Sequence, residues 1–194
     1  MSTETKHGHE HHSGATGYAT VPWSVAAAAT LHCLTGCAIG EVLGMVIGTA
    51  LGLSTAATVV LSIALAFVFG YALTSYPLLR AGLALAAVVP IALASDTLSI
   101  ATMEVVDNAI VLLVPGAMDA GLGDLLFWGS LAFALAIAGV VAVPVNRWLI
   151  ARGKGHAVVH ETGIHGGPPI PVVATIAVLM FLFGSVVLGA EALS

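Results

Sequence analysis

The chain has 194 residues, of which 59% are hydrophobic and only 8% are charged, and its formal net charge is -5 at pH 7. Soluble domains carry about 25% charged residues, so this composition excludes an ordinary water-soluble protein. Apolar runs of about 20 residues recur along the chain, which is typical of membrane-spanning helices. The acidic balance also excludes a nucleic-acid-binding role. We therefore predict an all-α, polytopic transmembrane helix bundle that lies in the lipid bilayer of the plasma membrane.

The order of polar and apolar segments predicts a disordered, His-rich tail over residues 1–22 and a transmembrane domain over 23–194. Five spans are predicted, at about 23–53, 55–79, 82–114, 124–150 and 170–188. With five spans, all five Lys and Arg residues fall on one side of the membrane. The positive-inside rule assigns that side to the cytoplasm. The N-terminus is then inside and the C-terminus outside, whereas a four-span chain would bring the C-terminus inside.

Histidines are concentrated on the predicted cytoplasmic side. Neutral imidazole is a good ligand for divalent transition metals near pH 7, so these side chains are candidate accessory metal ligands. A solvated tail or the remnant of an expression tag is the alternative interpretation. The candidates are His7, His9, His11 and His12 in the tail, with His156, His160 and His165 in the fourth loop.

The first span carries glycine at every fourth position, which leaves one line of the helix without side chains. Such a line lets another helix approach closely, as in the GxxxG packing motif. We expect the third span to pack against it. The glycines are Gly36, Gly40, Gly44, Gly48 and Gly52.

A second stripe on the same span contains Cys33, Cys37, Glu41 and Met45. Cys and Met are soft sulfur ligands that suit Cu(I), and the adjacent His32 is a further candidate ligand. An ionisable group such as Glu41 costs at least about 2.5 to 3.5 kcal/mol within a span, so it needs a partner, a proton or a function. A disulfide is disfavoured because an unbroken helix presents Cys33 and Cys37 in poor geometry for one.

The third span has a polar face with three carboxyl groups. No Lys or Arg lies deep in a span to pair with them, so they must share protons, meet water or coordinate a cation. An external loop helix is the alternative interpretation of this segment. Met118 and Asp119, in the loop that follows, are expected at the outer mouth of such a path. The face consists of Asp96, Ser99, Met103, Glu104, Asp107 and Asn108.

Four segments, LHCLTGCAIGEVLGMVIG, SDTLSIATMEVVDN, PGAMDA and PVNRWLIARGKGHAVVH, resemble a family of small bacterial and archaeal membrane proteins known only as a domain of unknown function. The resemblance covers nearly the whole chain from about Trp23 onward. It implies an integral membrane fold and relatives fused to, or encoded beside, copper-handling proteins. A copper-handling partner protein is therefore expected. The resemblance transfers no activity and no functional residue.

The leading hypothesis is a membrane protein that binds or translocates a transition-metal ion, with Cu(I) preferred and zinc or nickel as alternatives. The sulfur stripe would bind the ion and the acidic third span would form the path. A proton or cation channel without transition-metal chemistry is the second hypothesis. A scaffold subunit that binds another helix through the glycine stripe is the third, and a homo-oligomer is compatible with each. Enzymatic activity is less expected, because no nucleophile–base pair, phosphate-binding loop or cofactor fingerprint is present.

Overall fold

The protein is a bundle of long helices. The computed structural model describes residues 21–154, Thr175 and Leu179. Its helices are α1 (Trp23–Ala50), α2 (Thr55–Arg80), α3 (Leu85–Leu113) and α4 (Leu125–Ala151), with a short 3-10 helix at Ala117–Asp119. Each of the four long helices has the length and apolar composition needed to cross a membrane, and residues 21–154 contain no strand. The predicted all-α fold is confirmed for this part of the chain, and its four long helices are compatible with the predicted membrane spans.

Several predictions concern residues that the structure does not describe. They are the tail up to residue 20 with His7, His9, His11 and His12, the loop histidines His156, His160 and His165, and the fifth span at 170–188 apart from Thr175 and Leu179. The predictions made for them stay predictions.

The helix ends follow the turn chemistry of the loops. α1 ends at Ala50, three residues before the predicted end of the first span, because Gly52 adopts a left-handed φ of 63° in the turn. Glycine takes this conformation without a steric penalty, so it commonly terminates helices. α2 then begins after Ser54, whose Oγ accepts a hydrogen bond from the backbone N–H of Ala57 at 3.4 Å. A serine N-cap of this kind satisfies one of the free donors at a helix start.

Short connections make consecutive helices antiparallel, so α1 and α3 run in the same direction. α1 is the most buried of the four helices and contacts α2, α3 and α4. Its packing is closest with α2, while α3 packs mainly on α4. α1 is therefore the central helix of the described bundle.

The glycine stripe of α1 packs against α2, and the prediction that it receives the third span is wrong. A Cβ added at Gly36 would lie 2.7 Å from the Cα of Gly70, and one at Gly40 would overlap the backbone of Ala66. Small residues of α2 follow the stripe along its length, which lets the two backbones meet. Since α2 covers the stripe, it is not a free surface for the helix of another protein. Gly52 takes no part, because it lies in the turn with nothing within 4 Å of its added Cβ.

The two ends of the bundle differ in charge. Arg80, Arg147, Arg152 and Lys154 all lie at the end where α1 and α3 begin and where α2 and α4 finish. Arg147 donates from Nε to the carbonyl oxygen of Val21 at 3.0 Å, and its guanidinium lies 4.4 Å from the centroid of the Trp23 ring. This contact ties the start of α1 to the end of α4. We call this the basic end.

Candidate functional site

The sulfur and carboxyl stripe of α1 faces the polar face of α3. Because the helices run in the same direction, side chains four residues apart on α1 meet successive turns of α3 in the same order. Cys33 lies against Asp96, Cys37 lies beside Glu104, and Glu41 faces Glu104 and Asp107. The predicted meeting of the first and third spans is thus what the structure has, although the glycine stripe does not mediate it.

The two cysteines occupy the centre of the bundle. Both are free thiols, and both side chains have 0% of their surface exposed. Cys33 Sγ lies 4.0 Å from Asp96 Oδ1, and the hydroxyl of Ser99 is next to it. Met103 is also 0% exposed and belongs to the same buried cluster as both thiols. Three sulfur atoms therefore belong to one buried cluster.

A cavity of about 320 Å³ lies beyond the cysteines, toward the end opposite the basic residues. Its wall combines the carboxyl groups of α1 and α3 with the neutral polar side chains of Ser62, Thr58 and Asn108. The 3-10 helix closes one side, and its Met118 and Asp119 line the cavity. At about 30 Å³ per molecule, the volume corresponds to about ten waters. A hydrated ion fits a space of this size.

The carboxyl groups of this cavity are buried without conventional partners. Glu41 is 8% exposed, and Glu104 and Asp107 are each 4% exposed. Within the described residues, neither oxygen of either glutamate makes a hydrogen bond of ordinary geometry, and neither does Oδ1 of Asp107. The three groups are nevertheless close enough to interact electrostatically. We call Glu41, Glu104 and Asp107 the acidic cluster.

Buried anionic groups are costly unless a proton, water or a cation compensates them. In the described bundle the basic side chains lie at the opposite end, so they do not neutralise the acidic cluster. The cluster and its cavity can therefore accept protons or a hydrated cation.

On the other side of the cysteines, polar side chains continue toward the basic end. His32 Nε2 lies 2.7 Å from Thr74 Oγ1 on α2, so the ring joins α1 to α2. Thr74 also interacts with the carboxyl group of Asp96, which accepts a hydrogen bond from Ser95 Oγ at 2.8 Å. A buried line of polar groups thus extends past the thiols.

Thr74 and Asn146 were missed by the sequence reasoning. Thr74 is fully buried, and Asn146 donates from Nδ2 to Thr30 Oγ1 at 2.8 Å in the bundle interior. A lone threonine or asparagine in an apolar span is a weak signal by itself. An unpaired amide is costly in lipid, however, so Asn146 near the end of the fourth predicted span could have suggested an inward-facing position.

The remaining predicted ligands are dispersed. Met45 lines the cavity and packs against the cluster of Val42 and Phe127, and Asn108 donates from Nδ2 to the backbone oxygen of Glu104 at 2.9 Å. Across residues 21–154, Thr175 and Leu179, no group of three or more His, Cys, Asp or Glu side chains is arranged to hold a metal ion. The predicted site residues are therefore spread along the bundle, with the sulfur atoms and the acidic cluster at different depths.

Comparison with known proteins places the chain in a family. A family model described as a domain of unknown function, DUF4396, matches residues 22–155, which include α1 to α4 and hence the cavity and the buried sulfur atoms. Neither the curated proteins nor the solved structures contain a match.

Proposed function

Since the chain belongs to the DUF4396 family, a domain of unknown function, we propose its function from the geometry of the bundle: it translocates a transition-metal ion, Cu(I), across the membrane. The ion enters the acidic cavity and passes to the buried thiols of Cys33 and Cys37. The observation that carries this proposal is the order of donors along the bundle: an open acidic cavity is lined by Glu104, which lies beside Cys37, the nearer of two fully buried free thiols.

The two parts of this path have different chemistry. Oxygen donors hold cations weakly enough to exchange them and tolerate bound water, so the acidic cluster suits capture of a cation at the membrane surface. Thiolate and thioether sulfur favour soft ions such as Cu(I), so the buried sulfur atoms select Cu(I) over harder cations. Zinc and nickel are the alternative cargoes for the same donors.

The same geometry supports a second function, which is proton conduction without a metal. The buried line from the acidic cluster through Asp96 and Thr74 to His32 consists of groups that exchange protons, and it continues on both sides of the cysteines. In that case the thiols are packing residues. A protein that conducts protons equally well with and without its cysteines would favour this function over metal transport.

The membrane topology forms part of the proposal. The basic end faces the cytoplasm and the cavity opens to the outside, in accordance with the positive-inside rule. A fifth span at 170–188 then places the C-terminus outside, in the plasma membrane. A C-terminal fusion to a reporter that is active only in the cytoplasm would be silent, whereas an active fusion would contradict the five-span topology.

A metal-binding measurement tests the proposed role of the Cys33 and Cys37 thiols. Full-length protein in detergent is titrated with Cu(I) against a coloured Cu(I) chelator, beside Cys33→Ser with Cys37→Ser. The variant keeps every histidine of the chain, so binding to imidazole contributes equally to both proteins. The proposal predicts one Cu(I) per chain that depends on the cysteines. Identical titrations of the two proteins would refute it.

A further inference from the structure

A third sulfur atom lies with the two cysteines, although the spacing of the first span did not include it among the metal ligands. Met103 comes from α3, four residues after Ser99 and one before Glu104. Those two neighbours lie beside Cys33 and Cys37 respectively. Met103 is therefore at the same level as the thiol pair, and its side chain is as fully buried as theirs.

The residues that the sequence favoured as additional ligands are engaged elsewhere. His32 contacts Thr74 through Nε2 on the α2 side. Met45 lies one turn past Glu41, where it lines the cavity and packs on the cluster of Val42 and Phe127. Glu41 belongs to the acidic cluster and faces Asp107.

Apart from Asp96, Ser99 and Glu104 beside the thiols, the residues packed around the three sulfur atoms are apolar. Ile100 of α3, Ala66 of α2, and Ala138 and Ala142 of α4 complete the cluster, and each is fully buried. A largely apolar surrounding of this kind disfavours hard, strongly hydrated cations, which shed water reluctantly. It suits a soft monovalent ion that binds sulfur.

From this arrangement we infer that Met103 is the third ligand of a Cu(I) site formed with Cys33 and Cys37. The inference rests on the proposed function, because it adds a third donor to the Cu(I) site that the proposed function assigns to Cys33 and Cys37. A thioether supplies a lone pair without a charge, so it adds a bond to the ion without adding another anion to the membrane interior. Met103 then acts as a specificity-determining residue that favours Cu(I) over zinc or nickel.

Selenium labelling tests the inference directly. Full-length protein is produced with selenomethionine in place of methionine and loaded with one equivalent of Cu(I), and the copper-edge X-ray absorption spectrum is recorded. The expected spectrum contains sulfur neighbours from the cysteines and one selenium neighbour. Met103→Leu, which nearly conserves side-chain volume, should lose the selenium neighbour and keep the sulfur neighbours. Met45→Leu is the matched control and should keep both.

The outcomes separate the inference from the proposed function. A wild-type spectrum with sulfur but without selenium neighbours would overturn the role of Met103. It would leave Cu(I) binding by Cys33 and Cys37 supported. Loss of selenium in Met45→Leu but not in Met103→Leu would overturn it as well, in favour of Met45. A spectrum without any sulfur or selenium neighbour would refute the proposed function itself. The wild-type measurement is decisive even if a variant fails to fold.

Discussion

Gly40→Ala tests the close packing of α1 on α2, which holds the site in place. The added Cβ would lie 2.7 Å from the carbonyl carbon of Leu65 and still nearer to the backbone of Ala66, although real Cβ atoms essentially never approach within 3.0 Å. The neighbours are backbone atoms that cannot rotate away, so the helices must separate. We take about 3 kcal/mol, the upper part of the range for overpacking. Alanine regains about 1 kcal/mol of helix propensity, which leaves a net loss of about 2 kcal/mol.

The assay is unfolding in mixed micelles of increasing denaturing-detergent fraction, followed by circular dichroism. Gly129→Ala is the matched control, because this glycine lies in the exposed face of α4 with nothing within 4 Å of an added Cβ. Its stability should stay unchanged or rise by up to about 1 kcal/mol. Equal unfolding curves for Gly40→Ala and Gly129→Ala would refute the close approach of α1 to α2.

Three further perturbations address the polar groups. Glu41→Gln removes a buried ionisable group that costs about 2.5 to 3.5 kcal/mol in a span, so its thermal unfolding temperature should rise while Cu(I) transport falls; transport at the wild-type rate would contradict the functional role. Thr74→Val removes the hydroxyl next to His32 Nε2 and should lower the unfolding free energy by about 1 kcal/mol, whereas Thr74→Ser, measured by the same denaturation, should not. Arg147→Lys weakens the stacking on Trp23 by about 0.5 to 1 kcal/mol, so amide exchange at the start of α1 should accelerate; unchanged exchange would show that the contact does not hold that end.

Features that depend on the local pattern of residues could be predicted from the sequence. Apolar run length predicted all four described helices to within a few residues, and the four-residue spacing placed Cys33, Cys37 and Glu41 on one line. In the structure, the carboxyl groups of the third span lie against that line. Both results follow from helix periodicity and from the cost of leaving charged groups in lipid.

Helix neighbours were harder to predict, because periodicity indicates which side of a helix is special but not which helix covers it. The glycine stripe was therefore assigned to the third span, whereas Gly70 and Ala66 of α2 pack against it. This limit of helix periodicity also explains why Thr74 was missed and why Met103 was not grouped with the cysteines. Both side chains reach the interior from helices other than α1.

The most direct test of the central claim is Cu(I) flux into proteoliposomes that contain the full-length protein. The account predicts saturable uptake by the wild type, loss of uptake in Cys33→Ser with Cys37→Ser, and no uptake by protein-free vesicles. Uptake at the wild-type rate by the variant that lacks both thiols would contradict it.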